Sequence, residues 1–116
     1  MSWHQVIDER SYDMHQVIAD VLRKDPGKLE IARAWIENLL RDPEYSLLSK
    51  DALTEWLDLI RTRRLEGVLS VLADHGEEAT RLRHASPFAS IMPQDKRLEI
   101  LRRYEALRPR THPAGV

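Results

Sequence analysis

Apolar residues in this chain recur at helical spacing from end to end, and no segment alternates with period two. Met14, Val17, Ile18, Val21 and Leu22 form one stripe, which predicts a first helix over Ser11–Lys24. Asp25-Pro26-Gly27 ends it and starts the next, because Asp caps helices well and Pro is tolerated at the first helical position. The second helix carries Leu29, Ala32, Trp35 or Ile36, Leu39 and Leu40, with Glu37 and Arg41 at i,i+4, and Pro43 closes it. After a loop over Asp42–Leu48, Ser49 is the expected N-cap of a third helix with Leu53, Trp56, Leu57 and Ile60 inward. Thr62–Arg64 reads as a break. Leu65, Val68, Leu69 and Leu72 then make a fourth helix. Asp74-His-Gly-Glu77 has capping-box spacing for a fifth, running to about Ala85 with Ala79 and Leu82 inward. Pro93 opens a sixth helix with Leu98, Leu101, Tyr104 and Leu107.

These elements with short loops imply an all-α, single-domain bundle of about five to six short helices over residues 1–107, followed by a flexible Pro-rich tail over 108–116. A hydrophobic share of 42% is too high for a disordered chain, and no apolar run reaches the roughly 20 residues that cross a membrane. The N-terminal MSWHQVIDER is polar and acidic, unlike a signal peptide, so the expected location is the cytoplasm. With no cysteine, disulfides, thiolate metal sites and cysteine nucleophiles are excluded.

A net charge of −1 hides an asymmetry. Residues 1–60 hold 7 Lys/Arg against 12 Asp/Glu, and residues 61–116 hold 11 against 7. Such a split suits docking to a charged partner or self-association, although solvated helix faces would produce it too.

Catalytic signatures are sparse. The sequence holds no phosphate-binding Gly-rich loop, HExxH or GxSxG. Its five histidines lack the i,i+4 pairing of a helical metal site and read as surface or capping residues, although His75 and His84 could approach each other. Arg10 and His15 have the Arg-x4-His spacing of HEPN ribonucleases, which pair these groups for acid–base work and phosphate stabilisation. Leu65–Ser86 can be laid out as a helix-turn-helix with Gly76 in the turn and Arg81, Arg83 and His84 on the reading helix. Against that, Leu72 is bulky where a small residue is needed, and Glu77-Glu78 would face phosphate. Trp35 and Trp56 lie on apolar stripes and are expected in the core, and Trp3 is expected to pack back on it.

The stretch from Leu82 to Ile100 is the most distinctive. It places the chain's single Phe in a Ser86-Pro87-Phe88-Ala89 loop, followed by Pro93, Lys96-Arg97 and Ile100. Pro87 biases Ser86 away from helical geometry, so Phe88 is expected to fold back as a plug between the fifth and sixth helices. The same stretch resembles a C-terminal signature, LR-x-SSPFAG-x-L-(S/T)-P-x-ERW-x-I-x-R, of small uncharacterised bacterial all-α proteins. It departs at Ser90, Met92 and Leu98, where that pattern has Gly, Ser/Thr and Trp. Such proteins look like the cytoplasmic helical partners encoded in short operons, antitoxins among them.

The resemblance and the charge split together lead to an expected function. The chain is read as a non-catalytic, antitoxin-like or immunity-like protein that covers the active site of a cognate RNase-like or kinase-like toxin. Its expected partner-binding residues are Asp13, Asp20, Glu37, Phe88, Arg97, Arg102 and Arg103. No catalytic residue, cofactor or metal is expected, and no membrane; homo-oligomers remain open. The alternatives are a small DNA-binding regulator, with nucleic acid the less favoured partner, and a HEPN-like ribonuclease.

Overall fold

Helix α1, Trp3–Lys24, is the longest element of the computed structural model, which describes residues 2–45 and 47–107. It starts eight residues earlier than the apolar stripe predicts. The reason is a capping box: the Gln5 amide donates to Ser2 Oγ at 3.2 Å, and the Ser2 amide donates to Gln5 Oε1 at 2.9 Å. A one-turn 3₁₀ segment, Pro26–Lys28, leads into α2, Leu29–Arg41. Asp25 precedes that segment, but its side chain caps nothing. Helices α3 (Leu47–Thr62), α4 (Arg64–Ala73), α5 (Glu77–His84) and α6 (Gln94–Glu105) follow, with a second 3₁₀ turn at Ala89–Ile91. No strand occurs among the described residues, so the protein is an all-α bundle of six short helices. None of these helices is long and apolar enough to cross a membrane. The tail over 108–116 lies outside the described residues.

Helix α1 runs through the middle, packing against α4, α5 and α6, while α3 joins α2 to α4. The core gathers Ile18, Leu22, Ile36, Leu53, Trp56, Leu72 and Phe88. Trp56 is its hub: the ring is fully buried, its indole N–H donates to the Leu82 carbonyl at 2.7 Å, and Phe88 meets it edge-on at 5.2 Å. Phe88 is thus a core plug, as the loop sequence predicts, and its expected contact with a partner is corrected by its complete burial.

Several local expectations change. Trp35 is 40% exposed, because α2 turns the adjacent Ile36 inward and consecutive helical residues lie 100° apart. On α6 the buried face is Ile100 and Tyr104, which leaves Leu98 and Leu107 exposed. Ser49 sits inside α3 and so is not its N-cap. Glu37 pairs with Arg33 and Arg61 in place of Arg41. The cap of α5 is Gly76, and Asp74 folds its carboxylate onto the Gly76 amide at 2.7 Å, an Asx-type turn. The break at Thr62–Arg64 is present and sharp. A Cβ at Gly67 would lie 2.4 Å from Arg63 Cβ, so the fourth helix can fold back this tightly only over a glycine.

Candidate functional site

The carbonyls at the end of α4 would be orphans in an isolated helix. Three side chains from other elements reach them. Tyr12 O–H donates to Ala73 O at 2.9 Å and Gln16 Nε2 to Leu72 O at 2.5 Å, both from α1. Arg83 Nη1, from α5, donates to Val71 O at 2.9 Å and Asp74 O at 2.5 Å. Arg83 is only 4% exposed, and its guanidinium carbon lies 5.1 Å from the Tyr12 ring centre. A cation at a helix C-terminus also opposes the negative end of the dipole. Burial holds the Arg83 pKa below the usual arginine value. His75, in the turn after α4, stacks on the other part of the assembly: its ring lies 4.0 Å from that of Tyr12 at 22°.

This clamp floors an open groove of about 390 Å³ between α1, α5 and α6. Asp8, Glu9 and Asp13 supply its acidic side, and Tyr104 closes one end. Asp8 with Tyr12 and Glu9 with Asp13 are i,i+4 pairs along α1, and all four line this groove. Asp8 accepts from His84 Nε2 at 2.8 Å. Asp13 accepts a hydrogen bond from Tyr104 O–H, and Arg103 Nη1 lies 3.7 Å away. The bond to Asp13, helped by burial, pushes the Tyr104 pKa up to about 12. Glu9 is exposed and has no ion-pair partner among the described residues.

Of the residues expected to meet a partner, Asp13 and Arg103 come together at this groove. Asp20 lies further along α1 in an exposed pair with Arg23 at 2.8 Å. Glu37 is on α2, and Phe88 is in the core. Arg97 and Arg102 are exposed on α6. Asp13 and Glu37 are therefore partnered within the fold, where the sequence reading assigned both to a partner. Asp8, Glu9 and Tyr12 escaped the sequence reading, which took His75 for a surface or capping residue and placed Tyr104 on the stripe of the sixth helix. The i,i+4 spacing of Asp8 with Tyr12 and of Glu9 with Asp13 carries the signal, but only once α1 is known to begin at Trp3.

The other candidate chemistries are placed as follows. Arg10 lies 6.0 Å from the Trp3 ring centre, on a different face of α1 from His15. His15 is buried, contrary to the expected surface role. Its Nδ1 meets the Ser11 carbonyl at 2.6 Å, which makes Nδ1–H the donor, so Nε2 accepts from Ser86 O–H at 2.8 Å. Burial lowers the His15 pKa to about 4. Arg83 spends its donors on carbonyls, which removes it from any reading surface on α5. Arg81 is tied to Glu55 and Glu78. Among the described residues no group of three His, Asp or Glu side chains is arranged to hold a metal ion. No protein-family model matches the chain, and no curated protein or solved structure is significantly similar to it.

Proposed function

We propose that this is a non-catalytic protein-binding module of the antitoxin or immunity kind, which docks its acidic α1 groove onto the basic active-site cleft of a cognate enzyme. The observation that supports it is the groove's composition: Asp8, Glu9 and Asp13 line it beside the Tyr12–His75 stack, and Glu9 has no ion-pair partner among the described residues. Carboxylates lining an open groove form a seat for a lysine or arginine side chain. A cleft evolved to hold RNA or nucleotide phosphates offers such side chains.

The test is co-expression with the product of the adjacent gene, followed by affinity purification and an assay of that product's toxicity. Co-purification with loss of toxicity is expected. If the neighbour neither co-purifies nor is neutralised, while the chain alone retards duplex DNA with a steep salt dependence, the regulator reading replaces this one.

A further inference from the structure

A second groove lies at the far end of α2, where the start of that helix meets the α3–α4 corner. Its volume is about 510 Å³, within the range of small-molecule sites. The floor is apolar, made by Leu29, Ile60 and Leu65. Arginines 33, 61 and 64 stand around it, and Glu30 is the one acid in the lining.

The arginines are not equivalent. Arg33 is saturated: Nε and Nη2 lie 2.7 Å from Glu30, and Nη1 lies 2.9 Å from both Glu37 oxygens. Arg61 commits only Nη2, to Glu37 at 2.7 Å, and the remainder of its guanidinium is exposed. Glu37 thereby aims Arg61 while leaving donors over. Arg64 has no hydrogen-bond or ion-pair partner among the described residues.

Arg64 is also the one non-glycine described residue with positive φ, at 51°. That left-handed conformation is unfavourable for a side chain with a Cβ and would be free for glycine. Strained backbone persists only where the surrounding structure fixes it, and such positions cluster at binding and catalytic sites. Here it holds a guanidinium that is unpaired among the described residues at the lip of an apolar groove.

We infer that this groove binds a small amphipathic anion, a phosphate or carboxylate held by Arg61 and Arg64 with a planar apolar body lying on Leu29, Ile60 and Leu65. Arginine forks suit both head groups, because each offers paired oxygens at matching spacing. The apolar floor favours a ligand with a body over a bare ion. The site is independent of the acidic groove beside α1.

The experiment is an amide chemical-shift titration of the whole chain with phenyl phosphate, benzoate, inorganic phosphate and phenol. Saturable shifts confined to Leu29–Arg33 and Ile60–Leu65 are expected for phenyl phosphate or benzoate. Inorganic phosphate and phenol should bind about tenfold more weakly. Comparing phenyl phosphate with benzoate identifies the head group. Arg64→Gly removes the guanidinium while suiting the backbone, so its Tm should equal or exceed that of the wild type and its affinity should fall about tenfold. Arg61→Gln, at an exposed position, should weaken binding likewise. The inference is overturned if neither aromatic anion gives saturable shifts by roughly 10 mM. It is also overturned if inorganic phosphate binds as well as phenyl phosphate, or if both variants bind like the wild type.

Discussion

Phe88 and Ser86 sit two residues apart in one loop and hold it down from opposite sides. Phe88 inserts edge-on against Trp56, and Ser86 donates to His15 on α1 while accepting from the Phe88 amide at 3.3 Å. Truncating Phe88 to Ala would leave a cavity against Trp56, with an expected cost of about 3–5 kcal/mol. Chemical denaturation measures it, and a loss below about 1 kcal/mol would show that the ring is not a core plug. The His15 contact makes the loop acid-sensitive. In the fold this imidazole has a pKa of about 4, against 6.5 for the ordinary value. The unfolded chain therefore takes up the proton first as pH falls. The contribution is complete above about pH 6.5 and is lost between there and pH 4, a total of roughly 3 kcal/mol. His15→Gln should flatten that part of the stability–pH curve. If the mutant keeps the wild-type slope, the acid sensitivity comes from other groups.

At the scale of elements, the end of α4 depends on residues that no local pattern could supply. Its carbonyls are met by Tyr12 and Gln16, 61 and 56 residues away from the acceptors they serve, and by Arg83. Arg83→Met keeps most of the apolar stem and removes the donors. Two inward carbonyls would lose their partner, at an expected cost of about 2–4 kcal/mol. Hydrogen exchange should show the added opening first at the last turn of α4 and at α5. Equal loss of protection across all helices would mean that the clamp has no local role. The same contrast explains what could be read from the sequence. The helical class follows from periodicity, the division into about six helices from the prolines and capping residues between the stripes, and the break at Thr62–Arg64 from interruption of the pattern. Boundaries and faces were less legible. The start of α1 is set by Ser2 and Gln5 ahead of a largely polar turn, so an apolar stripe does not reveal it. On α6, Leu98, Ile100 and Leu101 crowd four positions, and only packing against α1 selects Ile100 for the interior. Trp35 and Ile36 pose the same choice on α2.

Across the whole molecule, charge collects in two separated grooves of opposite character, with Arg33 of the acid-rich first half contributing to the basic one. One carries the acids of α1, and the other carries the arginines where α2 meets the α3–α4 corner. Composition announced the polarity, but which charges are free depends on tertiary pairing. Asp13 is held by Tyr104, Glu37 orients Arg33 and Arg61, and Glu9 remains unpaired among the described residues. That difference separates local docking from general attraction. Asp20 is exposed on α1 outside the acidic groove, and its pair with Arg23 is a surface one of small energetic consequence. Glu9→Lys and Asp20→Lys change net charge equally, and both should leave the fold intact. If the groove is the docking surface, Glu9→Lys should slow association with the partner several-fold, and added salt should narrow the gap between mutant and wild type. Asp20→Lys should have a much smaller effect. Stopped-flow association at two salt concentrations reads both. Equal slowing by the two reversals would assign the attraction to the net field of the acidic half, and the groove would lose its place as the contact.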